Sequence, residues 1–149
     1  MSSIEQRLQR LEDVAAITAV VAAYGPAVDS GSAAAAADLF TVDGVYDVSP
    51  TPLRGAAAVA AMVDSAPHQG LIGRGCAHLQ GIPRIVIDGD TATAVNHSVV
   101  LLKAPDGFDV WRVAANRWEF RRTPMGWKVE RRINRLLDGD PAAAAVMGL

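Results

Sequence analysis

Asp29 is the residue of this sequence best placed to do chemistry, because it lies at the C-terminal end of a long apolar helix. Ala22, Gly25 and Val28 precede it, and Ser30 and a glycine follow as a stop signal. A carboxylate in apolar surroundings can exchange a proton near neutral pH, or hold a histidine in the tautomer that acts as a base. Asp29 is therefore the first candidate for a catalytic group.

Two histidines on predicted strands come next. His97 shares a face of its strand with Val95 and Val99, because alternate side chains of a strand point the same way. This pattern predicts that His97 is buried or lines a cavity. His78 precedes Pro83, which interrupts ladder hydrogen bonding, so the pattern leaves the direction of His78 open.

Polar residues also interrupt the apolar faces of the last two strands. Asn116 shares its face with Trp118, which predicts an inward amide. In the final strand, Val129 marks the apolar face, and strict alternation places Arg131 beside it. A bulge would place Arg132 there instead.

The elements that must position these residues divide into helices first and strands later. Apolar spacings of three and four residues predict a helix over 4–30, with a kink or division at Gly25 and Pro26. Further helices are expected over 32–40 and 55–65, with a short strand at 45–48. After Gly75 the period becomes two, and turn signals separate four predicted strands: 76–87, 91–103, 108–122 and 127–137.

This order of elements predicts an α+β fold with a long antiparallel meander. The 149 residues, half of them apolar, suit a single domain over 1–149 with a substantial core. The Ala- and Gly-rich tail at 138–149 is expected to fray or to contact a neighbouring subunit.

Composition argues against several classes of function. Cys76 is the only cysteine, and the formal net charge of −2 offers no general attraction to nucleic acid or to a membrane. The N-terminus lacks the pattern of a signal peptide, which favours a cytoplasmic protein. Gly73-Arg74-Gly75 lacks the rest of a phosphate-binding loop, and the histidines and acids show no metal-ligand spacing. We expect no metal and no cofactor.

Three motifs carry a resemblance to a known family: Tyr24 with Asp29 at the helix end, Ala77-His78-Leu79, and the segment 116–129 with Gly126-Trp127-Lys128. On these motifs the chain resembles the SnoaL-like, scytalone dehydratase-like proteins of the nuclear transport factor 2-like superfamily. The resemblance implies a cone-shaped fold, with N-terminal helices packed in a strongly curved, mixed but mainly antiparallel sheet around one apolar pocket.

The resemblance also implies roles for individual residues. Asp29 and His78 stand 49 residues apart and match the family's catalytic dyad, in which the histidine abstracts a proton and the aspartate orients it. Tyr24 would polarise a substrate oxygen or assist the leaving group. The resemblance also implies that Asn116, Arg132 and Tyr46 contact the substrate. His97 is a further implied contact, because it lies on the strand that carries a second histidine in scytalone dehydratase.

The implied function is a cofactor-independent lyase or isomerase, similar to a dehydratase, that acts on a hydrophobic cyclic, steroid-like or polyketide-like molecule. One alternative is a non-catalytic binding or accessory subunit, in which Asp29 and His78 form an ordinary core hydrogen bond. Another is an epoxide hydrolase, which would need an Asp-Arg-Asp constellation around a water. Trp111, opposite Trp118, favours self-association as a homodimer or homotrimer through the sheet.

Overall fold

One seven-stranded sheet is the centre of the fold, and the N-terminal helices cover its inner side. The computed structural model describes residues 3–148. Within this range the helices are α1 (Ile4–Asp29), α2 (Ala33–Asp38), α3 (Ala56–Asp64), α4 (Ala66–Arg74) and α5 (Pro141–Val146). The strands are β1 (Phe40–Val48), β2 (Leu53–Arg54), β3 (Cys76–Gln80), β4 (Arg84–Asp88), β5 (Thr91–Ala104), β6 (Gly107–Thr123) and β7 (Gly126–Leu136).

The sheet is mixed but mainly antiparallel. Its strand order is β2-β1-β7-β6-β5-β3, and β4 pairs with β5 beside β3. Only β1 and β7 run parallel, and the curved sheet packs around α1. Helices first and a meander afterwards therefore produce the predicted α+β arrangement.

The long N-terminal helix is continuous. α1 starts at a capping box between Ser3 and Gln6 and runs through Pro26, so of the predicted kink or division at Gly25 and Pro26 the division is wrong. Pro26 costs one intrahelical hydrogen bond, but its carbonyl still accepts from Ser30 and the last turn closes. By length and apolar composition α1 could also span a membrane, a test that a core helix passes equally well.

The core lies between the helices and the inner face of the sheet. α1 contributes Ile17 and Val21, α3 contributes Val59, and the sheet contributes Trp118 and Phe120; all are at most 1% exposed. Burial of such side chains is the main favourable term in folding. This packing fixes the C-terminal end of α1 against the sheet, where the candidate site lies.

The predicted strand over 76–87 is two strands. β3 and β4 both pair with β5, and the break at Gly81 to Pro83 lies opposite Asn96 and His97. Pro83 cannot donate to the ladder, which explains the break.

The sequence reading missed α4. Ser65 caps this helix by accepting a hydrogen bond from the His68 backbone N–H, and Pro67 lies in its first turn. A serine cap followed by proline is a recognised start signal that could have predicted the helix. The short strand β2 was also not predicted.

The C-terminal tail packs on its own chain rather than fraying. Asp140 caps α5, Ala143 is 1% exposed, and the Gly148 carbonyl accepts from Arg117 Nη1 on β6 at 2.8 Å. These contacts argue against fraying of the described residues, and contact of the tail with a neighbouring subunit stays a prediction.

Several large apolar side chains of β6 stay exposed, among them Phe108, Val110 and Trp111. The sequence placed Trp111 on the face opposite Trp118. In the structure Trp111 is the extra residue of a register shift in β6, since Arg112 pairs with Val100 and Val110 with Leu101. Self-association as a dimer or trimer stays a prediction.

Candidate active site

Asp29 and His78 are in direct contact. His78 Nδ1 lies 2.6 Å from Asp29 Oδ1, and the backbone N–H of His78 donates to Asp29 Oδ2 at 2.7 Å. Cys76 Sγ is 3.5 Å from Asp29 Oδ1. The last residue of α1 and the middle of β3 thus meet, and both carboxylate oxygens of Asp29 have donors.

A glycine permits this close approach. A Cβ on Gly25 would lie 2.1 Å from the His78 carbonyl oxygen, a distance that no side chain can occupy. Gly25 therefore lets the backbone of β3 rest on the last turns of α1. The helix stop signal and this glycine together bring the carboxylate to the histidine.

The contact sets the tautomer of His78. With Asp29 ionised, Nδ1 carries the hydrogen that it donates to Oδ1, so Nε2 keeps its lone pair. Burial lowers the pKa of His78 from its ordinary value of 6.5, against the opposing effect of Asp29. His78 is therefore a neutral base at neutral pH.

A cavity of about 240 Å³ opens in front of the dyad. The polar part of its wall is formed by these residues: His68, His78, Gln80, Ser98, Arg112, Arg132 and Asn134. The rest of its wall is apolar or aromatic and is lined by these residues: Tyr24, Tyr46, Val48, Leu53, Met62, Leu71, Val100 and Trp111. Most of this wall would exclude water from a bound ligand.

Arg132, not Arg131, faces the cavity. Arg132 is 2% exposed, whereas Arg131 is exposed and pairs with Asp47 at 2.8 Å. The reason is a bulge: Glu119 pairs with Arg131 and Phe120 with Val129, which leaves Glu130 as an extra residue in β7. Strict alternation, which predicted Arg131, is broken there.

Aromatic rings surround the Arg132 guanidinium. Its central carbon lies 4.1 Å from the ring centres of Tyr24 and Trp118 and 4.7 Å from that of Tyr46. Such rings stabilise a cation through their negative faces. No carboxylate among residues 3–148 lies within 4 Å of this guanidinium, so its charge is not neutralised by the protein there.

Asn116 holds Arg132 from behind the cavity wall. Its Oδ1 accepts from Arg132 Nε at 3.1 Å and Nη2 at 2.8 Å, and from Asn134 Nδ2 at 2.7 Å. Its Nδ2 donates to Ser98 Oγ at 2.8 Å. The inward direction predicted for Asn116 is correct, but the structure places it beneath Arg132, Ser98 and Asn134 rather than in the wall.

Tyr24 and Tyr46 both lie in the cavity wall. Their rings meet edge to face, with centres 6.1 Å apart. Burial raises the pKa of Tyr24 far above its ordinary value of 10.0. The Tyr24 hydroxyl therefore keeps its proton and can donate it to a hydrogen bond with a ligand.

His97 does not reach the site. Its side chain is exposed, while its neighbours Asn96 and Ser98 are buried. The Ala92, Ala94, Asn96, Ser98 face is the inner one, although Val95 is also buried on the outer side. The prediction that His97 lines the pocket is wrong, because valines on both faces of β5 obscured which face is inner.

His68 is a cavity residue that the sequence reading missed. It lies in the first turn of α4 and is 6% exposed, and its ring centre is 5.9 Å from that of His78. Its Nε2 lies 2.8 Å from the Val28 carbonyl oxygen. The capping signal of Ser65 and Pro67 was the available clue to the helix, but no local pattern showed that the helix reaches the dyad.

A metal centre fits these residues less well than a hydrogen-bonded dyad does. Asp29, Cys76 and His78 each offer one donor atom, and these atoms lie within 4.8 Å of one another. A cysteine binds zinc as the thiolate, and burial raises the pKa of the Cys76 thiol to about 11, so a metal would have to displace its proton. Two of the three donor atoms already share one hydrogen bond.

Comparison with protein families gives one clear match. The family model for the SnoaL-like domain matches residues 9–133. No curated protein matches the chain.

Solved structures share the fold over most or all of the chain. An NTF2-like protein with a cystatin-like fold from Novosphingobium aromaticivorans is 44% identical, covers 100% of this chain and 99% of that one, and has a TM-score of 0.96. A candidate aromatic ring hydroxylase from the same organism is 28% identical, with coverages of 85% and 90% and a TM-score of 0.70. A nuclear transport factor 2-like superfamily protein from Salmonella enterica, 15% identical with coverages of 85% and 92%, has a TM-score of 0.69. These similarities confirm the predicted fold.

Proposed function

The chain belongs to the SnoaL-like domain family of the nuclear transport factor 2-like superfamily, and on this premise we propose that it is a cofactor-independent lyase or isomerase. The superfamily includes dehydratases and isomerases. The observation that carries the proposal is the 2.6 Å contact between His78 Nδ1 and Asp29 Oδ1, with His78 in the wall of an apolar cavity.

The proposed step is removal of a proton next to a carbonyl group. Nε2 of His78 takes the proton, the C–H electron pair moves towards the carbonyl, and negative charge grows on the carbonyl oxygen. Asp29 stabilises the imidazolium that forms. The enolate then either expels a neighbouring hydroxyl group, which takes the proton from Nε2 of His78 and leaves as water, or takes that proton back at another carbon.

Arg132 is suited to stabilise the growing oxyanion. Its charge has no carboxylate partner among the described residues, and its Nη1 is buried without a hydrogen-bond acceptor there. An unbalanced cation in a low-dielectric cavity interacts strongly with negative charge. The phenol of Tyr24 would supply a second hydrogen bond to the same oxygen.

The cavity indicates the size and kind of substrate. Its volume of about 240 Å³ lies between a cavity of ~150 Å³ that accepts benzene and the ~300 Å³ lower end of drug-sized pockets. A molecule of one or two rings suits this space and the apolar wall. The aromatic-ring chemistry in the description of the 28% identical relative fits such a ligand.

The epoxide hydrolase alternative finds less support. That reaction would need a second acid near the attacking water. Among residues 3–148, the cavity wall holds Arg132 but no Asp or Glu side chain. The alternative of a protein that binds a ligand without converting it is distinguished from an enzyme by the experiment that follows.

The test uses Asp29→Asn with a panel of one- and two-ring β-hydroxy ketones, monitored by absorbance of the conjugated product. The native protein should convert one or more of these ketones. The turnover of Asp29→Asn should be lower by a factor of about 10² to 10⁴, because the imidazole loses its orientation and its charge partner. Ligand binding, measured by tryptophan fluorescence, should change little. Asp106→Asn, in the exposed turn before β6, is the matched control and should behave like the native protein.

Two outcomes would overturn the enzyme proposal. Binding of these ketones without turnover by the native protein would support the binding-only alternative. Equal turnover by Asp29→Asn and the native protein would remove the dyad from the mechanism.

A further inference from the structure

His68 is nearly buried at the candidate site, yet only part of its hydrogen-bonding capacity is used by the protein. It is 6% exposed and lines the same cavity as His78. Its backbone N–H belongs to the cap of α4, through Ser65 Oγ. Its side chain contacts the end of α1 through Nε2 and the Val28 carbonyl.

The contact with Val28 determines which ring nitrogen carries hydrogen. A backbone carbonyl can only accept, so Nε2 must donate, and the neutral ring keeps its lone pair on Nδ1. No residue within 3–148 donates to this Nδ1 in the structure. The ring therefore has one nitrogen committed to the fold and one free to accept a hydrogen bond.

His68 lies close to His78, the proposed base. Its ring centre is 5.9 Å from that of His78, and the two rings are tilted by 36°. A ligand whose C–H bond meets His78 would place atoms one or two bonds away near His68. Arg132 and Tyr24 offer donors to a carbonyl oxygen, whereas His68 offers an acceptor.

We propose that Nδ1 of His68 accepts a hydrogen bond from a hydroxyl group of the substrate, and that this contact makes the site selective for hydroxylated ring ketones. The inference rests on the proposed function, because it names the substrate class of the same cavity. His68 is a specificity-determining residue in this scheme. An apolar ring ketone without the hydroxyl would leave a buried acceptor unpaired, which is unfavourable.

Two substitutions separate recognition from structural support. In His68→Gln, the amide nitrogen can take the place of Nε2 and still donate to Val28, but no acceptor remains at the position of Nδ1. In His68→Asn, the amide oxygen lies near the position of Nδ1, while the contact with Val28 is lost. His68→Gln therefore tests the role of the acceptor, and His68→Asn tests the role of the hydrogen bond between α4 and α1.

The probes are indan-1-one and its 4-, 5- and 6-hydroxy isomers, none of which can lose water. Their affinities are measured by tryptophan fluorescence or calorimetry on the full chain. The native protein should bind at least one hydroxy isomer about three- to tenfold more tightly than indan-1-one. In His68→Gln the ratio of the two affinities should fall to about one, because the acceptor is gone, and His68→Asn should retain part of the preference.

A measurement on the native protein guards against loss of folding in the variants. The ¹⁵N resonance of His68 Nδ1 should move when the preferred hydroxy isomer binds, and should stay in place with indan-1-one. Retention of the full preference by His68→Gln, or an unmoved Nδ1 resonance, would overturn the inference and leave the proposed function intact. Failure of every indanone to bind the native protein would overturn the inference together with the proposed substrate class.

Discussion

Arg132 combines a buried positive charge with a neutral hydrogen-bond partner. Asn116 Oδ1 accepts from two of its nitrogens and orients the guanidinium without cancelling its charge. A carboxylate at position 116 would orient the group equally well but would neutralise it. The choice of an amide thus keeps the cation available to a ligand.

Asn116→Asp tests this distinction with almost no change in shape. Ser98 can turn its hydroxyl to donate, and Asn134 and Arg132 keep their acceptor. We expect kcat to fall by about 10-fold or more, because the new carboxylate competes with the oxyanion for Arg132. Thermal unfolding should show a folded protein. A variant with native kcat would contradict the role given to the free charge.

The pH dependence of activity follows from His78. Burial lowers the pKa of His78 below 6.5, and the neutral ring is the active base. Activity is therefore present above this lowered pKa and is lost as the pH falls through it. The acid limb of kcat/KM should have its midpoint below pH 6.5. A midpoint at or above 6.5, with the protein still folded by circular dichroism, would contradict the assignment.

At the scale of elements, the approach of α1 to β3 is the contact that assembles the dyad. Gly25 contributes no side chain where the helix meets the His78 carbonyl. The contact joins residues more than 50 positions apart in the chain and depends on the absence of one methyl group. The position of His78 is thus determined by packing between two elements.

Gly25→Ala should separate α1 from β3. The added Cβ would meet the His78 carbonyl oxygen at 2.1 Å, so the helix or the strand must move. We expect a loss of about 1–3 kcal/mol in the free energy of unfolding and a large loss of activity, since the Asp29 to His78 distance must grow. Chemical denaturation and turnover measure the two effects.

Gly70→Ala is the matched control for this prediction. Gly70 lies inside α4, and a Cβ there would meet no atom within 4 Å. Alanine in a helix interior should leave stability unchanged or raise it by about 0.5–1 kcal/mol. Similar losses at both glycines would show that the close approach to His78 is not what makes position 25 sensitive.

At the scale of the whole molecule, a charge cluster around the buried Asp13 links the N-terminal helix to the β6–β7 hairpin. The N-cap Ser3 and residues 4–12 of α1 are exposed, and Asp13 is the first buried residue of the described chain. Asp13 accepts from Arg122 Nη1 at 2.7 Å, Arg122 Nη2 at 2.8 Å and Trp127 Nε1 at 3.0 Å. Arg122 also stacks on the Trp127 ring at 4.4 Å.

This cluster should make stability sensitive to acid. The hydrogen bonds from Arg122 lower the pKa of Asp13 from 3.8 to about 2, so the folded carboxyl stays ionised where the unfolded one is protonated. Its stabilisation is present above pH 3.8 and is lost as the pH falls towards 2. Asp13→Asn should lower the free energy of unfolding at pH 7 by about 2 kcal/mol and flatten its dependence between pH 4 and 2.

Asp90→Asn is the control for Asp13→Asn. Asp90 also contacts Arg122, at 2.9 Å, but its side chain is 82% exposed. Exposed ion pairs contribute little to stability, so this variant should unfold almost as the native protein does. Equal destabilisation by both variants would show that burial of Asp13 is not what makes its pair valuable.

Local patterns in the sequence were enough to determine the class of fold and part of the site. The apolar period of α1, its stop after Asp29, and the alternation and turns of the last three strands are properties of neighbouring residues. They established helices followed by an antiparallel meander. The inward face of Asn116 followed from the same alternation, because no bulge lies between it and Trp118.

Which other side chains reach the cavity depends on contacts between segments that are distant in the chain. Arg132 replaced Arg131 because pairing with β6 leaves Glu130 as an extra residue, and one extra residue reverses every later side chain. His97 faces outward and His68 inward because the pairing of β5 and the docking of α4 on the end of α1 are contacts between distant segments. Such contacts are set by the packing of the whole chain, which local periodicity does not record.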